Sequence, residues 1–205
     1  MLRSPILNWI IPCGLLILIA FLVSQSPAER TLGDNIRYVY VHVTIIWAGV
    51  LGLTLAGLLS IVVIATERAR LQVWIEHLQW VSFAFFVVGF TLSLLAAKII
   101  WGSISLGEPR ALGALSVIGI TLILFYFRDS IDSIQIKGMI GLALMVVLHA
   151  AMRVPMVLHP ANPIMSSSSR KIQTTFLVLF VLFTLLEAWM LLMVTRQDQR
   201  LKATA

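Results

Sequence analysis

Two of the four histidines in this chain, His42 and His159, are placed so that the hydropathy pattern carries both to one face of a membrane. Six long apolar runs alternate with short polar joints; His42 opens the second run and His159 follows the end of the fifth. Four full spans separate those points, and an even number of crossings returns the chain to the side it left. A neutral imidazole donates a lone pair to a metal, and two at one interface of a helical membrane protein form a donor set for iron held from opposite sides, as in a bis-histidine haem. Arg37 lies just over one helical turn before His42, a spacing at which a guanidinium can take a carboxylate such as a haem propionate. Pro155 and Pro160 bracket His159. Each histidine alone also has an ordinary reading: His42 and Arg37 as snorkelling interfacial residues, His159 as a loop residue.

The elements that must position these residues follow from composition. Of 205 residues, 60% are hydrophobic and only 12% charged, and the mean hydropathy is +0.98. Those values exclude an ordinary soluble domain. A spanning helix needs roughly 20 apolar residues, and the runs at 5–24, 39–66, 74–100, 111–127, 138–157 and 173–195 supply six. The expected fold is therefore all-α, one integral membrane domain over 1–205 with six transmembrane helices. No internal repeat is evident.

The formal net charge of +6 is spread over the joints and forms no basic stripe, so nucleic acid is not an expected partner. It does bear on topology. Arg3, Arg68, Arg70, Arg128, Lys137, Arg196, Arg200 and Lys202 fall on one side, against Arg30, Arg37, Arg110, Arg170 and Lys171 on the other. The excess predicts both termini inside and His42 and His159 outside. Cys13 is the lone cysteine, which rules out an internal disulfide or a CxxC motif, and its place in the first run predicts a buried, inert thiol. That run has a short basic start but a weak cleavage context at Ser24 and Ser26, and it reads as a retained anchor helix.

Ala48, Gly52, Ala56 and Ser60 recur every fourth residue, with Gly49 and Gly57 beside them, a small-residue face for close helix approach. Gly89, Gly138 and Gly141 are the expected opposing surfaces. Most of the six tryptophans lie near run ends, as interfacial anchors do. His149 and Arg153 share a face of the fifth run, as a buried pair or a polar lining; Glu187 lies too deep to meet Arg153, and Glu76 and His77 read as solvated residues at the start of the third run.

The stretch Arg37-Tyr38-Val39-Tyr40-Val41-His42-Val43, the joint Trp101-Gly102-Ser103-Ile104-Ser105-Leu106-Gly107-Glu108-Pro109-Arg110, and Val154-Pro155 followed by His159 resemble the cytochrome c assembly family of haem-handling membrane proteins, in particular its six-helix haem exporter C type. The resemblance covers nearly the whole chain in helix count, loop order and loop side. It implies haem b held externally by His42 and His159, Trp101 stacked on its edge, and Arg37 and Arg110 toward the propionates. The family's tryptophan-rich loop is degraded: Ile104, Ser105 and Gly107 stand where it carries tryptophan, and Thr44 where it carries proline.

Three functions compete. The first is a haem-binding subunit that handles or exports haem for cytochrome c maturation in the cell inner membrane. It breaks no bond in haem and is no enzyme, and the resemblance implies other maturation subunits, an ABC transporter and a haem chaperone as partners beside the lipid bilayer. The second is a structural subunit of a membrane complex that keeps this fold without haem. The third, a quinone-coupled cytochrome b, needs histidines at matching depth on facing helices, and only His149 lies clearly within the core, with His77 at the opposite side.

Overall fold

A computed structural model describes residues 5–153, 164–165 and 167–204. Six helices account for most of them: α1 Pro5–Ser24, α2 Ile36–Thr66, α3 Ala69–Trp101, α4 Pro109–Arg128, α5 Ile134–Met152 and α6 Arg170–Thr204. Among the described residues α2 to α6 are each long and apolar enough to cross a membrane, and α1 is a shorter apolar helix from Asn8. The chain is thus an all-α, multi-pass membrane protein. The end where α2, α4 and α6 begin and α1, α3 and α5 finish is called the upper end.

Helices α2 and α3 form a central spine, with α1 and α6 on one flank and α4 and α5 on the other. The first flank is filled by Ile19, Tyr40, Phe85, Leu179 and Phe183; the second by Leu53, Phe83, Phe86, Phe125 and Leu148. The small residues of α2 act as expected. A methyl added at Gly49 would lie 2.6 Å from the Ser82 carbonyl oxygen, and one at Gly89 would lie 2.8 Å from the Ile46 nitrogen, so the spine helices touch backbone to backbone. Gly57 faces Met145, Gly138 faces Ile64 and Gly141 faces Ser60, so side chains of one helix settle over glycines of the other and seat α5 on α2.

Local chemistry sets the helix ends. Glu67 takes a left-handed conformation (φ 50°) and its N–H donates to the Val63 carbonyl, after which α3 begins two residues later. Gly102 caps α3 with φ 76°, its N–H on the Lys98 carbonyl, and Pro109 opens α4 where the missing N–H costs nothing. Ser133 caps α5 by accepting from the Ile136 N–H. Helix α5 runs to Met152 with Arg153 as its cap, and residues 154–157 of the expected run lie outside the described residues.

Three expectations are corrected. Cys13 is exposed, because edge helix α1 packs only on α6 and α2 and turns this face outward. Arg128, read as part of a joint, is the last residue of α4 and only 2% exposed: Nη1 donates to Gln79 Oε1 at 2.6 Å and the guanidinium lies 4.6 Å from the centre of the Phe125 ring. His77 is not simply solvated; its ring meets Thr195 Oγ1 at 3.1 Å and Asp198 at 3.8 Å on α6.

Pro12 poses a problem that the packing solves. Its missing N–H leaves the Asn8 carbonyl without the i+4 donor a helix supplies, in a setting where water is scarce. The Trp189 indole N–H of α6 donates to that carbonyl at 3.2 Å. Trp189→Phe should therefore destabilise the detergent-solubilised protein by about 1–3 kcal/mol. In a Pro12→Ala background, where residue 12 again offers an N–H, the same substitution should cost clearly less; equal losses in both thermal unfolding series would refute the link.

Candidate functional site

His42 lies in the second turn of α2, half-buried, with Nδ1 2.7 Å from the Tyr38 carbonyl oxygen. A carbonyl only accepts, so Nδ1 carries the proton, and in the neutral ring Nε2 is then the nitrogen with the lone pair. Histidines that bind metals are commonly fixed in this manner, by a backbone carbonyl on the other nitrogen. The same i→i−4 bond also forms in helices that bind nothing, so the bond fixes the tautomer and not the role.

The surroundings of His42 come from helix register. Gly89 of α3 sits beside the His42 carbonyl, at 3.2 Å from an added methyl. Trp101 is twelve residues further along α3, about 18 Å higher at helical rise.

On the second flank the bundle is lower. Met145 faces Gly57, and α5 ends seven residues later, about 10 Å up. His42 is fifteen residues from Gly57, about 22 Å up. Gly113 of α4 packs on the Ala151 carbonyl, so α4 begins near the level where α5 stops. Among the described residues the upper end is therefore a step: a floor made by the start of α4 and the end of α5 lies below His42, the end of α5 roughly 12 Å below it, and α2 and α3 continue above His42. Ser60, on the same face of α2 as His42 five turns below, packs against Gly141 of α5, and α5 ends below the level of His42.

Arg110 lies on this floor in the first turn of α4 and is exposed. Arg37 lies above His42, with Nη2 3.1 Å from Asp34 Oδ1 and its Nε buried without a hydrogen-bond partner. Trp101 is 48% exposed at the end of α3, and Ile104 and Leu106 in the following joint are equally open. The step thus gathers four of the expected site residues at one end of the bundle: Arg37, His42, Trp101 and Arg110. His159 lies outside the described residues, as do Val154, Pro155 and Pro160.

His149 is engaged elsewhere. Thr54 donates its hydroxyl proton to the Val50 carbonyl at 2.6 Å, which leaves its oxygen to accept from His149 Nε2 at 3.0 Å. This bond ties α5 to α2. A polar residue whose place the sequence does not reveal is Glu187. Its carboxyl is 3% exposed in mid-bundle, accepts from Ser82 Oγ at 2.5 Å, and lies over Gly52, which has no side chain to occupy that space. A glutamate amid an apolar run is a visible signal; its partner on α3 is not visible until the register is known. Among the described residues no group of three or more His, Cys, Asp and Glu is gathered as a metal site.

If His149 is a helix tie, Thr54→Val and His149→Ala should show a coupling near about 0.6 kcal/mol in a double-mutant cycle. Additive effects on the unfolding midpoint would remove the tie and return His149 to the list of candidate ligands.

Compared with known proteins, the chain matches no family model, and no curated protein matches it.

Proposed function

We propose that this protein is a haem-binding membrane subunit that handles or exports haem for cytochrome c maturation, with haem held above the step at the upper end by His42 and His159. The observation that carries the reading is the His42 ring, with its Nδ1 proton committed to the Tyr38 carbonyl, on the α2 face that meets α5 five turns below. A ring fixed through Nδ1 in this manner binds a metal through Nε2, which suits an axial ligand. His159 is six residues on from Arg153, a reach of up to about 20 Å, which exceeds the roughly 12 Å between the end of α5 and the level of His42.

The other residues have distinct parts in this reading. Trp101 supplies an apolar edge from above. Arg110, exposed on the floor, meets a propionate, while Arg37 meets one only by exchanging it for Asp34. Haem is cargo: iron ligation fixes its position and no covalent step is needed, so the subunit is not an enzyme. Partner subunits of the maturation system, an ABC transporter and a haem chaperone among them, belong to the same proposal, as do six spans, inner termini and residence in the cell inner membrane. On this topology a cysteine at Ser167, placed in a Cys13→Ala background, is labelled from outside; labelling from the cytoplasm would contradict it.

The alternative reading is a structural subunit that has kept the fold without haem. The exposed joint after Trp101 favours it, since Ile104, Ser105 and Gly107 offer no aromatic surface. Ligand variants separate the two. His42→Ala and His159→Ala should each turn a low-spin spectrum into a five-coordinate, high-spin one, and the double variant should lose most bound haem. His149→Ala should leave the spectrum unchanged. Wild-type spectra in both single variants would refute the ligand assignment. Restoring tryptophan at Ile104, Ser105 and Gly107 should raise haem retention by at least about tenfold, taking about 1–3 kcal/mol for each aromatic stacking contact.

A further inference from the structure

On the opposite flank of the spine, the upper end carries a groove of about 440 Å³ between α1 and α6 that plays no part in the haem reading. Its α6 wall is graded along the helix. Arg170 and Lys171 stand at the top, Thr174 and Thr175 one turn below, and Val178 one turn below that. The α1 wall has the same order, with Gln25 above Leu22. Charge gives way to hydroxyl and then to hydrocarbon over roughly eight residues of α6, about 12 Å.

Beside and below the groove the outward faces are apolar, with Leu177 58%, Phe21 60% and Leu185 52% exposed. Arg170 and Lys171 are exposed and form no ion pair with a described acid, and none of the groove-lining residues is acidic. Two cations at the headgroup level, hydroxyls beneath them and an open apolar track below match an anionic phospholipid in polarity order: phosphate, then glycerol esters, then acyl chain. A zwitterionic lipid offers the same chain and esters but no net charge to the two cations.

We propose that the α1–α6 groove is a binding site for an anionic phospholipid, with its phosphate on Arg170 and Lys171 and an acyl chain over Leu22 and Val178. The lipid fastens edge helix α1, which otherwise packs only on α6 and α2, to the bundle. The proposal is independent of the haem reading and of which side of the membrane the upper end faces.

The test uses the full chain in phosphatidylcholine nanodiscs, with Cys13→Ala and a fluorophore on a cysteine at Leu177, which is exposed beside the groove without lining it. Brominated phosphatidylglycerol is titrated against brominated phosphatidylcholine, and quenching of the fluorophore reports which lipid occupies the seam. Phosphatidylglycerol should be preferred by about 25-fold, taking about 5-fold for each basic residue at the headgroup level. Arg170→Gln/Lys171→Gln should bring the preference close to unity, whereas Arg68→Gln/Arg70→Gln at the lower end should leave it intact. Equal quenching by the two lipids in the parent protein overturns the proposal. So does a preference that survives Arg170→Gln/Lys171→Gln, or one abolished by the lower-end variant. Displacement of phosphatidylglycerol by equimolar haem would assign the groove to haem and overturn it equally.

Discussion

Backbone contact along α2 is the constraint on which the rest of the structure depends. In a membrane interior there is little hydrophobic gain in bringing two helices together, so association rests on close packing and on polar bonds between helices. Gly49 and Gly89 let α3 approach α2 until main-chain atoms touch, and Gly57, Gly138 and Gly141 make room for α5 against Met145, Ile64 and Ser60. Packing this tight fixes register. Register then decides that α5 ends well below His42, that Gly113 of α4 meets Ala151, and hence that the upper end is stepped and not flush.

Polar groups inside the bundle obey the same register. Glu187 and Ser82 meet over Gly52 because a side chain there would occupy their space. Arg128 meets Gln79 beside Gly141 and Ser60. Trp189 reaches the carbonyl that Pro12 leaves without a donor. These bonds and the close contacts beside them link the helices in the middle and lower parts of the bundle, where leaving any one group unpaired costs more than in water. The lower half is thereby held as a frame, and the step and the α1–α6 groove lie at the upper end on opposite flanks.

Much of the frame was legible in the sequence, because hydropathy and length alone mark a membrane helix. Helix α1 spans 5–24 as expected, and α2 starts at Ile36 within three residues of the reading. The small-residue face of α2 and its glycine counterparts on α3 and α5 were also legible, since period and residue size are one-dimensional information. Properties that require two helices at once were not. Arg128 looks like a joint residue until Gln79 and Phe125 are seen to receive it, and Cys13 looks buried until α1 proves to be an edge helix. At the candidate site, the sequence brought Arg37, His42, Trp101 and Arg110 to one end, but not the tautomer of His42 or the difference in height between Arg37 and Arg110.

The central claim is that the upper end ligates haem iron through two imidazoles. Its most direct measurement is the electron paramagnetic resonance spectrum of the wild-type protein equilibrated with ferric haem, with and without nitrogen-15 labelling of its histidines. A low-spin ferric signal coupled to two histidine nitrogens is the result predicted. A high-spin signal, coupling to one nitrogen, or no bound haem at all would contradict it.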